Sequence, residues 1–134
     1  MSTPFGLAWL LAVLALGLHV IDEATHDFLS WYNPRARRIR KALGIPFPPT
    51  FTFVPWILGL AVIVLWLASL TPGAFAGRAS LRPIAWILAA VSLANGAVHI
   101  TASLLNHKLV PGTLSAPVLL FTGGFLAYTT YRLV

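Results

Sequence analysis

Hydrophobic residues fall into four long stretches, at about 5–29, 51–70, 83–105 and 114–131, separated by short polar segments. Each is near 20 residues, the length of a helix that crosses a bilayer, for which the range is roughly 17–25. Helices satisfy their own backbone polar groups, as lipid demands. The pattern predicts an all-α integral membrane protein, a four-transmembrane-helix bundle of two helical hairpins. It forms a single membrane domain over 1–134, with both termini on the same side. Pro83, and either Pro49 or Pro55, suit a first helical turn, and Pro117 falls in the first turn of the fourth helix.

One charged run interrupts the first stretch: His19-Val-Ile-Asp22-Glu23-Ala-Thr-His26-Asp27. It holds all three acidic residues of the chain and two of its four histidines. An ionisable group inside a spanning helix costs roughly 2.5–3.5 kcal/mol and marks a candidate functional site. On a helix, His19 and Glu23 lie about 40° apart, with His26 and Asp22 within about 60° of His19. These four share a face, and Asp27 drifts toward the membrane edge. With the helix ending near 29, His19 lies about 15 Å and Glu23 about 9 Å inside.

Composition supports the membrane reading. Residues are 58% hydrophobic and 9% charged, whereas soluble domains carry about 25% charged residues. Cysteine is absent, which excludes disulfides and thiolate chemistry. The net charge is +6, and five of nine basic residues lie between Arg35 and Lys41. Beside apolar helices, that cluster points to anionic lipid headgroups, and nucleic acid is not expected as a partner. Segments 30–50 and 106–113 carry six basic residues, against three for the termini and 71–82. The positive-inside rule puts 30–50 and 106–113 in the cytoplasm and the termini outside, in the cell's inner membrane. Trp9, Trp31, Trp56, Trp66 and Trp86 lie near helix ends, as an aromatic belt would. No Lys or Arg precedes the first apolar run, so it reads as a retained helix and not as a signal peptide.

The third helix offers a matching surface. Asn95 and His99 are four residues apart, Ser92 and Ser103 extend the stripe, and Asn106 and His107 close it. It runs parallel to the first helix, so both polar stripes lie at similar depth. His19, Glu23, His26 and His99 are candidate metal ligands, of types suited to zinc or iron. Glu-x-x-His also occurs in carboxylate-bridged metal bundles, though the carboxylates here are too few for a full di-iron set. Without a metal, Glu23 or Asp22 would move a proton, with Asn95 in support and the histidines tuning it. Paired haem ligation by His19 and His99 is a lesser alternative. The plain structural reading is a buried His19–Glu23 pair locking two helices together. Gly123-Gly124 reads as a site of close helix approach.

His19-Val-Ile-Asp22-Glu23 resembles the signature of the HXXEE family of small bacterial membrane proteins. Asn95-Gly-Ala-Val-His99 and Val110-Pro111-Gly112-Thr113-Leu-Ser115-Ala-Pro117 resemble its downstream Asn/His motif, Pro-Gly turn and small-residue helix start. The resemblance spans most of the chain. It departs at Asp22, where the family name has Glu. The charge is kept and the reach is one methylene shorter. The resemblance supports the site and the topology and implies no particular reaction.

The expected function is a membrane-embedded enzyme acting on a lipid or other hydrophobic molecule. His19, Glu23 and His99 are its core, and Asp22, His26 and Asn95 support them. The alternatives are a non-enzymatic carrier of a hydrophobic ligand, cofactor or ion, and a structural subunit. A bundle of this size need not enclose a pocket alone, so a homodimer is also considered.

Overall fold

The computed structural model describes residues 3–133. Six α-helical segments follow one another: α1 (Thr3–Thr25), α2 (Phe28–Leu43), α3 (Phe53–Ser69), α4 (Thr71–Phe75), α5 (Arg82–Asn106) and α6 (Ala116–Arg132). A 3-10 turn at Ala79–Leu81 leads into α5, and among the described residues there are no strands. Three stretches are long and apolar enough to cross a membrane: Pro4–Thr25, Phe53–Phe75 and Ala79–Asn106. The fourth apolar stretch forms α6, whose 17 residues give a rod of about 25 Å at 1.5 Å per residue. That is short of the roughly 30 Å hydrocarbon core, and α6 is also a tightly packed element. Leu119, Leu126 and Ala116 are fully buried, and α6 lies mainly against α5 and α1.

Two features correct the sequence expectation. The first apolar helix does not continue to 29. It stops at Thr25, where Thr25 Oγ1 donates to Ile21 O at 2.7 Å and His26 N donates to Asp22 O. Asp27 then adopts a left-handed conformation (φ 55°, ψ 49°) and turns the chain. Aspartate is one of the few non-glycine residues that visit this region readily. Second, the segment expected to be a basic loop is mostly the 16-residue helix α2. It accommodates Pro34 in its interior, forgoing one backbone hydrogen bond there. Gly44 ends it, also left-handed, with its N–H on Arg40 O. The shorter α1 also moves the charged run. His19 is six residues from the helix end, about 9 Å, and Glu23 only about 3 Å.

The core lies where α1, α5 and α6 meet. Trp9, Phe5, Ala12, Ala85, Ala89 and Leu126 fill it, and Trp9 Nε1 donates to Leu67 O at 3.1 Å. Helix α3 stays peripheral, exposing Val54, Leu58, Val62, Leu65 and Trp66, a broad apolar surface. Close approach of α5 and α6 depends on Gly96. A Cβ there would meet Ala116 O and Leu120 Cγ at 2.9 Å. Gly96→Ala is expected to destabilise the fold by about 1–3 kcal/mol. Gly59→Ala on α3, with nothing within 4 Å, should be neutral or stabilising. Thermal unfolding in detergent of the two variants against the wild type checks the contrast.

Candidate functional site

Two helices and the turn before a third converge at one end of the bundle. His19 and Glu23 come from α1, Asn95 and His99 from α5, and Ser115 from the residue just before α6. His19, Asp22, Glu23, His99 and Ser115 are all buried. A buried polar group is tolerable only when paired, so the partners carry the argument.

Asp22 is anchored first. Ser115 N donates to Asp22 Oδ2 at 2.9 Å, and Ser115 Oγ donates to the same oxygen at 2.7 Å. Ser115 holds the N-cap position of α6, yet its hydroxyl makes no capping bond to the helix backbone. It reaches α1 instead. The helix N-terminus and its N–H groups then favour the carboxylate. Asp22 Oδ1 lies 2.9 Å from His26 Nδ1, whose own side chain is 53% exposed.

Ser115 also fixes His19, since its Oγ is 2.7 Å from His19 Nδ1. When the serine proton is given to Asp22, His19 Nδ1 donates to Ser115 Oγ and a neutral imidazole keeps a lone pair on Nε2; in the other tautomer Ser115 Oγ donates to Nδ1 and the ring proton sits on Nε2. That nitrogen faces Glu23 Oε1 at 3.3 Å and Asn95 Nδ2 at 3.0 Å. His99 Nε2 approaches the same Glu23 oxygen at 3.1 Å. The two imidazoles meet edge to face, with centroids 4.8 Å apart. Glu23 Oε1 is thus approached by one ring nitrogen from each histidine, and either a ring proton or a metal ion can fill the gap between them.

The donor set suits a metal. One ligand atom each from His19, Glu23 and His99 lies within 4.8 Å of the others, so this group can hold an ion. Zinc with bonds of about 2.0–2.1 Å separates tetrahedral ligands by about 3.3 Å. The His19–Glu23 and His99–Glu23 distances match that edge. Two histidines and a glutamate leave a fourth position open, as in catalytic zinc sites. The Asp22–Ser115–His19 chain behind His19 is the kind of outer support that orients a ligating imidazole. His99 Nδ1 has no hydrogen-bond partner among the described residues.

Of the residues singled out in the sequence, His19, Glu23, His99 and Asn95 come together. Asp22 stands behind His19, one serine removed. His26, counted among the metal ligands, sits outside the group on the exposed side of Asp22. Asp27 forms the α1–α2 corner. Asn106 and His107 end α5: Asn106 Nδ2 donates to Ala102 O at 2.6 Å, and His107 is left-handed. Ser92 is buried under α6 with no partner for its hydroxyl. Two further residues belong to the site. Ser115 bridges Asp22 and His19, and Gly112 forms the floor under both rings. Their signal was the Pro-Gly turn followed by a hydroxyl at a helix start.

An aromatic cover lies over the centre. Phe28 and Trp31 of α2 place their rings 5.9 and 6.0 Å from that of His99. Phe28 stacks on Trp56 of α3 at 5.7 Å and on Tyr32 at 5.3 Å. Tyr32 OH donates to Pro49 O at 2.9 Å, and burial raises its phenol above the ordinary range, with Arg40 opposing. Beside this cover a cleft of about 400 Å³, walled by Phe28, Leu29, Phe53 and Trp56, leads to Glu23.

Residues 9–127 match the family described as a protein of unknown function with HXXEE motif. The chain belongs to that family. No curated protein and no solved structure matches it.

Gly112 has φ +88°, and a Cβ on it would lie 2.6 Å from His99 Cε1 and 2.9 Å from His19 Cε1. Gly112→Ala is expected to cost about 2–4 kcal/mol, from backbone strain plus displaced rings. Gly44→Ala, left-handed with open space around it, should lose only the backbone part, about 1–2 kcal/mol. Unfolding midpoints of the two variants in detergent measure the difference.

Proposed function

We propose that this HXXEE-family chain is a four-span protein of the bacterial inner membrane carrying a metal-dependent site for a hydrophobic substrate. In this reading α1, α3–α4, α5 and α6 cross the bilayer, the last in a thinned region. Helix α2 lies in the headgroup plane, as an amphipathic basic helix does. The positive-inside rule sets α2 and the 106–115 turn at the cytoplasmic face.

The observation that carries the reading is the trio His19, Glu23 and His99, with Glu23 Oε1 3.3 Å from His19 Nε2 and 3.1 Å from His99 Nε2 and one ligand atom of each within 4.8 Å of the others. These three residues hold a divalent ion, zinc or iron. When bound, the ion supplies Lewis-acid polarisation of a substrate oxygen or of a water. Ser115 and Asp22 orient His19 and, with the serine proton on Asp22, leave its Nε2 unprotonated. The cover of Phe28, Trp31 and Trp56 excludes bulk water, and the cleft at Glu23 admits the substrate from the membrane side. Ser115 is a poor nucleophile here, because its proton points to Asp22 and its oxygen is buried.

A second reading is a metal-free polar network that only packs α1 against α5 and α6. One contact favours it. Asn95 Nδ2, at 3.0 Å, already satisfies the His19 lone pair and would have to turn aside for an ion.

Element analysis and zinc titration of the purified full chain separate the two. About one ion per chain is expected. His19→Ala, Glu23→Gln and His99→Ala should each abolish binding. Asp22→Asn and Ser115→Ala should weaken it by about 10–100-fold, and His26→Ala should leave it intact. A well-folded wild type that takes up neither zinc nor iron would defeat the metal reading.

A further inference from the structure

The cleft at Glu23 does not end at Leu29. A second, more open cleft of about 570 Å³ shares Leu29 and Phe53 as walls and continues along α2 past Ser30 and Asn33 to Arg37. Together they form one groove between α2 and α3, with a carboxylate at its inner end and a guanidinium at its outer end. Phe28, Leu29, Phe53 and Trp56 give the inner cleft an apolar and aromatic wall, with Thr25 and Asp27 beside Glu23 at its inner end, and Ser30, Asn33 and Thr52 line the outer cleft. Asn33 is tied to the 49–51 segment, donating to Phe51 O at 2.9 Å and accepting from Phe51 N at 3.0 Å.

The basic residues of α2 are not equivalent. Arg35 is folded back: its Nη1 donates to Trp31 O at 2.6 Å, and its guanidinium lies 4.4 Å from the centre of the Trp31 ring. Arg38 and Lys41 are exposed but line neither cleft. Arg37 alone puts a cation in the groove wall. From Leu29 to Arg37 is eight residues, about 12 Å of helix. A ligand lying in the groove would meet a cation at its outer end and the rings of Phe51, Phe53, Phe28 and Trp56 along its length.

We infer that the groove binds one anionic phospholipid, with its phosphate at Arg37 and an acyl chain running past Phe53 and Trp56 toward Glu23. This deepens the reading of the centre as a lipid-facing site and rests on it. The combined volume suits a ligand of that size, since small-molecule pockets span about 300–1,000 Å³. Helix α2 lies where headgroups lie, and the chain's +6 charge complements an anionic lipid. The geometry presents the chain of the lipid, and not its headgroup, to Glu23.

The test uses the full chain in detergent micelles with chelator present, given phosphatidylglycerol or phosphatidylcholine of identical acyl chains. Native mass spectrometry is expected to show phosphatidylglycerol retained at least about fivefold over phosphatidylcholine. Arg37→Gln should remove that preference, and Arg38→Gln should leave it. Phosphatidylglycerol brominated on its chain should quench a fluorescence component of the wild type that Trp56→Phe lacks. Equal retention of the two lipids, equal losses from Arg37→Gln and Arg38→Gln, or no Trp56 quenching would overturn the groove. Zinc uptake, measured on a chelator-free portion of the same purified protein, keeps the two ideas apart. A chain that keeps its lipid preference and takes no zinc sinks only the metal reading. One that takes zinc without lipid preference sinks only the groove.

Discussion

A carboxylate inside an apolar helix survives only if its oxygens are met by donors that the fold holds in place. Asp22 meets that condition at one oxygen through Ser115, whose N–H and hydroxyl both bond to it, and at the other through His26. The Ser115 contact ties α1 to the start of α6 across 93 positions of sequence. It also holds His19, whose Nδ1 shares a hydrogen bond with the same hydroxyl. The rest of the centre follows. With Nδ1 committed to Ser115, His19 turns Nε2 toward Glu23 and His99. An unpaired buried polar group costs about 1–3 kcal/mol, and a charged one more. Losing Ser115 would therefore disturb both the helix packing and the ligand geometry.

Much of this was legible in the sequence. The apolar stretches mark α3, α5 and α6 to within a few residues. The spacing of His19 and Glu23, and of Asn95 and His99, places those pairs on helical faces that do meet. The end of α1 was not legible. Asp27 turns the chain without a glycine, and its φ is set by tertiary context. Helix α2 was read as a loop because its arginines and Pro34 do not resemble a span. A helix in the headgroup plane needs no apolar run. Ser115 and Gly112 were visible only as parts of a motif. The reach of a hydroxyl across two helices, or the need for an absent side chain, has no periodicity to betray it.

The revised end of α1 changes where the chemistry sits. A continuous helix to 29 would have buried the charged run deep in hydrocarbon. With the corner at Asp27, Glu23 lies two residues from the end of α1. There Asp22 and Glu23, on neighbouring positions, stay buried by facing different partners, Ser115 and His26 for one and the two histidines for the other.

The corner at Asp27 has one more consequence. The sixteen residues after it begin as the roof of the centre, with Phe28 and Trp31 against His99, and end as a cationic rod with Arg40 and Lys41. One helix therefore carries both the rings against His99 and an exposed cationic end, and a two-residue elbow joins it to the helix that bears His19 and Glu23. Ceiling and doorstep are the same object. Whatever holds the cationic end also bears on how tightly the roof is shut.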